Sequence, residues 1–431
     1  MDIVLKNARV INFDPAKIEE ADIRIADGII ADYGKNIRSK KDDEIVDLAG
    51  KYILPGFVNS HMHLYSSLSR GMPSPKSVPT NFIERLQKIW WKLDEAHDEE
   101  SIYYSALVGA IEAVRLGTTT LIDHHASSNH IRGSLDLIKA GISKVGLRGI
   151  LCYETTDRGG IRKRDLGLNE NERFVLENAN NPHFRGTIGA HALFSICNDT
   201  LRRIGELASM YDCGVHIHVA EDISDVLDSV ENYNTDIINR LTDYGILRKK
   251  SIVAHGVHLN RKQFARIDKS GAWMVYHPRS HMNTIGSAPL IWYGEHSALG
   301  TDRYPADMFD EAKFGYFRNG DSDHPAVFSR LPGILNNGHR LVSEFFGQPC
   351  GTLGKDTPAD IVVLDYNAPT PLVRQNINGH FLIGMNASMV QHVLIDGNWI
   401  LWNRQLMGID EHAVMEKARN VAAKLWKKMN R

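Results

Sequence analysis

Between residues 56 and 355, short apolar runs alternate with longer stretches in which apolar residues recur every three or four positions. The short runs read as strands at 57–61, 119–123, 149–153, 187–191, 214–219, 251–255, 273–277 and 298–302. The stretches between them read as helices, 100–116 among them. Repeated strand–helix units of this number predict an α/β fold, a parallel (β/α)8 barrel rather than an open sheet. The two chain ends are patterned differently. Residues 23–30 and 393–400 each set Asp-Gly between apolar flanks, a hairpin signal, and 359–365 is a further strand. Each end is too small to bury its own core, so the two are expected to close together into one β-domain. The expected organisation is therefore 1–55 and 356–405 for the β-domain, 56–355 for the barrel, and 406–431 for a terminal helix. In that helix Val414, Ala418, Val421, Leu425 and Met429 form one apolar stripe, suited to packing.

The chain of 431 residues is long enough for a large core, and its 50 Lys+Arg against 52 Asp+Glu leave it nearly neutral. No basic stripe predicts nucleic-acid binding and no charged tail predicts a membrane surface, which leaves a small molecule as the expected partner. No stretch approaches the roughly 20 apolar residues of a membrane helix. The first residues, Met1 to Lys6, lack the charged and apolar regions of a signal peptide. Cys152, Cys197, Cys213 and Cys350 are widely spaced without Cys-x-x-Cys, which fits a reducing cytoplasm.

Candidate chemistry gathers at the strand ends. His61 and His63 follow the Pro55-Gly56 turn and its apolar run. Residues two apart on a strand share a face, so the pair presents two imidazoles together, half of a site for zinc or a similar ion. His216 and His218 repeat the spacing, with Glu221 just beyond. His218, nearer the rim, is the expected third ligand, and His216 the expected interior residue. His255 and Asp302 each end an apolar run. Singly each has a bland explanation: a solvated carboxylate for Glu221, a satisfied structural histidine for His255, a capping aspartate for Asp302. Their joint order, each at the end of a strand that a barrel brings to one face, points to a metal site.

The segment from Pro55 to His63, with the later motifs around His218, His255 and Asp302, resembles the amidohydrolase superfamily, in its cytosine-deaminase and chlorohydrolase branch. Residues 122–127, 153–158 and 307–309 look more narrowly like the SsnA-type aminohydrolases. The resemblance implies a (β/α)8 barrel with a β-sandwich built from both chain ends. It implies one divalent metal, zinc before iron, held by His61, His63, His218 and Asp302. Glu221 would shuttle protons, and His255 would hydrogen-bond the attacking water, with Asp302 sharing in its deprotonation. No lysine ends the fourth strand, so a single ion is implied. His191, His125 and Trp91 are the implied or adjacent substrate contacts, with His124 and Trp90 beside them, and Arg148 and Arg158 either meet an anionic group or form salt bridges. A homodimer is the family's usual state.

The chain departs from that pattern at the seventh strand. Relatives commonly read His-Asn-Pro-x-Ser-Asn, whereas here Tyr276, His277 and His281 replace the histidine and both asparagines. Arg303 stands where a glycine usually follows the metal-binding aspartate, and should forfeit a glycine's positive-φ freedom. The leading expectation is a metal-dependent aminohydrolase that deaminates an N-heterocycle of purine, pyrimidine or triazine type. The alternatives are a hydrolase that displaces an amide nitrogen or halide, and a non-catalytic barrel scaffold. The altered residues imply a divergent substrate or impaired chemistry.

Overall fold

The computed structural model describes residues 2–284, 286, 288–320 and 326–429. Its apolar runs form two parallel sheets. One orders Phe57–Met62, Thr118–His125, Arg148–Tyr153 and Phe184–Gly186; the other orders Ile188–Ala192, Val215–Val219, Ile252–His255, Trp273–Tyr276 and Ser297–Leu299. Thr155 bridges Ala190 at one junction of the sheets, and Met62 bridges Asp302 at the other. There the His61 carbonyl accepts the amides of Thr301 and Asp302, at 3.0 and 3.1 Å. This is an α/β arrangement of parallel strands, consistent with a parallel barrel. Phe184–Gly186 was not legible as a strand, and the expected strand 298–302 ends at Leu299, its last residues forming the turn that carries Asp302. Except at Arg185, these strands are buried along their length, which explains their near-continuous apolar sequence.

Apolar packing fills one end of the strands. Val58, Ile150, Ile252 and Trp273, early in their strands, cluster with Leu341, Val342 and Phe345 of the helix Ala326–Phe346. The opposite, C-terminal ends carry the histidines. Helix Glu99–Arg115 starts on a capping box in which Asp98 accepts the Ser101 amide at 3.0 Å and the Ser101 hydroxyl accepts the Asp98 amide at 2.9 Å.

Strands from both chain ends pair in one nine-stranded sheet, joined where Tyr52–Pro55 runs antiparallel to Ile361–Leu364. Along Tyr52–Pro55 the faces alternate: Ile53 packs with Ile23, Ile25 and Ile361, while Tyr52 and Leu54 join the cluster of the parallel sheets. Both predicted hairpins form, turning at Asp27-Gly28 and Asp396-Gly397 with all four residues left-handed. The two turns touch: a Cβ on Gly28 would lie 3.1 Å from the Asp396 carbonyl oxygen. The terminal helix Glu411–Met429 packs Ala418, Val421 and Leu425 against Leu68, Leu93 and Ala96. Among the described residues, no helix is long and apolar enough to cross a membrane.

Arg148 fastens the two layers at the base of its strand. Its buried guanidinium pairs with Asp360 at 2.8 Å and with Asp396 of the hairpin turn. Of the two roles left open for this residue, the structure shows the salt bridge, and His183 contacts the same Asp396. Arg148→Ala strands two partly buried carboxylates and should cost on the order of 3 kcal/mol, read as a lowered urea midpoint; an unchanged midpoint would show that the clamp adds nothing.

Candidate metal centre and substrate pocket

His61 lies on Phe57–Met62 and His63 one residue beyond it, both buried, with ring centroids 4.8 Å apart. His218 on Val215–Val219 faces them, its ring 5.1 Å from His61 and 5.2 Å from His63. The backbone fixes how these rings present their nitrogens. Nδ1 of His63 meets the His124 carbonyl at 2.7 Å, and Nδ1 of His218 meets the His191 carbonyl at 2.9 Å. A carbonyl only accepts, so each Nδ1 carries the proton and each Nε2 presents a lone pair. Those two Nε2 atoms lie 3.2 Å apart, and Asp302 Oδ1 lies 3.3 Å from the one on His63. His61 Nδ1 contacts His216 Nε2 at 2.7 Å, leaving its Nε2 buried without a partner among the described residues.

Lone pairs and a carboxylate converging in a buried space repel one another unless a cation lies between them. The donor set therefore fits a divalent metal. His61, His63 and Asp302 form one group of ligand atoms within 4.8 Å, and His61, His218 and His255 form an overlapping one. Burial holds His61, His218 and His255 well below the ordinary imidazole range, so these rings stay neutral, the ligating form. His216 is wholly buried in the interior, as expected.

Glu221 lies beyond its strand with Oε2 3.6 Å from His255 Nε2. Burial raises the Glu221 carboxyl, and the charge of Asp302 adds to that rise against the opposing Arg303. Burial also acts to raise Asp302, but Arg303 and the hydroxyl of Ser280, which donates to Oδ2, draw it lower. Two neighbouring carboxyls are thus pushed apart, one towards holding a proton and the other towards remaining ionised. Three residues at these strand ends, Ala220, His255 and Asp302, are left-handed without being glycine, a concentration of backbone strain around the centre. The left-handed position expected after the aspartate is taken by Asp302 itself, at φ 55°, so Arg303 forfeits nothing there.

The pocket over this centre is walled by His63, His218, Glu221 and Asp302, by His191, and by Trp90 and Trp91. The tryptophans sit where the helix begun at Phe82 widens into a π turn over Leu86–Trp90 before continuing as Trp91–Ala96. His125 is turned away from this wall: its Nε2 contacts the Ser127 hydroxyl at 2.9 Å, and its ring packs by Tyr65 and Tyr153. His124 is also wholly buried, its Nε2 3.1 Å from the Ala190 carbonyl.

Sequence reasoning did not single out Asp94 or Glu154, both on the wall. Arg158 joins them, 2.9 Å from Asp94 and 3.5 Å from Glu154, with its guanidinium 4.4 Å from the Trp91 ring centre. Asp94 lies three positions after Trp91, a helical spacing that hinted at a shared face, but nothing in the sequence marked it as buried. Arg303 likewise stacks over Trp90 at 5.1 Å.

Known proteins agree with this architecture. A 5'-deoxyadenosine deaminase of Methanococcus aeolicus is 30% identical over 94% of this chain and 95% of its own. A 5-methylthioadenosine/S-adenosylhomocysteine deaminase of Thermococcus sibiricus is 27% identical over 93% and 94%. Among solved structures, a zinc-bound adenosine deaminase from Xanthomonas campestris superposes with TM-score 0.87 at 20% identity, covering 98% of both chains. A zinc complex of atrazine chlorohydrolase from Arthrobacter aurescens gives 0.80 at 19% identity, covering 97% of this chain and all of that one. The amidohydrolase family pattern matches residues 52–400, and with the strand-end histidines in the order described, this chain belongs to the amidohydrolase family.

Proposed function

We propose that the chain is a metal-dependent aminohydrolase that removes an exocyclic amino group from a small N-heterocycle, with adenine-bearing nucleosides the first substrates to test. The observation that carries this reading is the convergence of the His63 and His218 Nε2 atoms with Asp302 and Glu221 in one pocket. The named deaminase relatives, alike over nearly the whole chain, support the reaction class.

His61, His63, His218 and Asp302 would hold the catalytic ion, zinc before iron, since three imidazoles and a carboxylate suit both. Such an ion supplies a water whose pKa falls towards about 7, a nucleophile at neutral pH. The remaining work falls to the protein. The carbonyls of His124 and His191 hold the imidazoles in the ligating tautomer. Ser280 holds Asp302 by its outer oxygen. His255 would orient the attacking water, and Asp302 would take its proton and pass it on to the departing amine. Glu221 would deliver a proton to the ring nitrogen beside the carbon under attack and recover one from the added hydroxyl as ammonia leaves. His191 and Trp91 bound the substrate from the wall.

The same reading closes the two parallel sheets into a (β/α)8 barrel over 56–355. It folds 1–55 and 356–405 as a β-sandwich, with 406–431 as the terminal helix. It sets the enzyme in the cytoplasm, where its four free cysteines suit a reducing environment. A homodimer follows from the family resemblance, with light scattering as its check.

Ammonia release across adenine nucleosides, pyrimidines and triazines, with chloride release measured in parallel, tests the reaction. Ammonia from at least one amino-bearing substrate is the expected result, and chloride or ring-opened product alone would replace it with the rival hydrolysis. Glu221→Gln should retain its metal while kcat falls about 100- to 10,000-fold; wild-type turnover in that variant would refute the proton-shuttle role. His63→Ala should lose the catalytic ion, seen by elemental analysis as one equivalent fewer than wild type, and undiminished metal content would remove His63 from the ligand set.

A further inference from the structure

Three buried imidazoles form a second convergent group beside the catalytic ligand set. His255, His277 and His281 each offer one ring nitrogen within 4.8 Å of the other two. Their ring centroids lie 4.6, 5.5 and 5.5 Å apart. Imidazoles bound tetrahedrally at about 2.0–2.1 Å from one zinc ion set their nitrogens about 3.3 Å apart and their centroids about 5 Å apart. Nδ1 of His255 lies 3.3 Å from Nε2 of His281. The proposed catalytic histidines obey the same metric, with centroids at 4.8, 5.1 and 5.2 Å.

Hydrogen bonding does not account for the group. A bond between His255 and His281 satisfies one nitrogen of each, yet His277, wholly buried, has no partner for either ring nitrogen among the described residues. Nδ1 of His281 is also without one. Buried imidazole nitrogens in native proteins are paired with protein groups, with ordered water or with a metal ion. His255 can offer its Nδ1 lone pair to this group, because Nδ1 faces His281 while the opposite nitrogen, Nε2, faces Glu221.

We infer that His255, His277 and His281 hold a second first-row divalent cation of the zinc class, in an all-imidazole site whose fourth position is open to water. This goes beyond the single catalytic ion and does not depend on which substrate is deaminated. The protein purified from zinc-supplemented culture and dialysed against micromolar zinc should carry two metal equivalents. The His277→Asn, His281→Asn double variant should carry one. Anomalous diffraction at the zinc edge from wild-type crystals should place a peak among these three rings, whether or not the variant folds. One equivalent in wild type, two in the double variant, or no peak among the rings would each overturn the second site.

Discussion

Two nitrogen lone pairs held 3.2 Å apart are the constraint from which the rest of the site follows. Left alone, neutral imidazoles would rotate or change tautomer until one donated to the other. Here each is prevented by a main-chain carbonyl that occupies its other nitrogen, and the carbonyls belong to residues at the ends of neighbouring strands. The orientation of these rings is therefore a property of strand register. A slip of one residue in Thr118–His125 or Ile188–Ala192 would withdraw the carbonyl and present the wrong face. A cation then binds rings already aimed, with little left to reorganise.

The same logic explains why strain collects at the strand ends. The His61 carbonyl accepts two amides, from Thr301 and Asp302, which draws the last strand's terminal turn across the first strand. Asp302 can face His63 from that turn only by entering the left-handed region, and His255 and Ala220 make comparable excursions. Each such residue costs on the order of 1 kcal/mol or more. The apolar cluster at the opposite end of the strands, closed by Leu341, Val342 and Phe345, supplies the packing against which these costs are offset. Stability and chemistry are thus divided between the two ends of one set of strands.

Most of the framework was legible because period and turn chemistry are local. Asp27-Gly28 and Asp396-Gly397 announced their hairpins, and doubly buried strands announced themselves as apolar runs ending in His61, His191, His218 and His255. What escaped were features set by distant partners. Phe184–Gly186 is too short to show a period and exists through pairing with Gly149–Leu151. His125 and His191 both end apolar runs, yet only His191 reaches the pocket wall, because direction at a strand end depends on the local turn. Asp94 offered only its helical spacing from Trp91, and Glu154 only its place within residues 153–158, since burial of a carboxylate is decided by an arginine that folding brings beside it.

Arg303 shows how a residue that breaks a family pattern can be accommodated. A buried guanidinium beside a metal centre would repel the ion it adjoins unless its charge were shared. Two neighbours share it: Asp302 lies 3.9 Å away, and the face of Trp90 lies beneath it at 5.1 Å. Arg158 repeats the scheme across the pocket with Asp94, Glu154 and Trp91. Each arginine is thus clamped between carboxylate charge and a tryptophan of the covering helix. Their charges steady the cover and shape its underside.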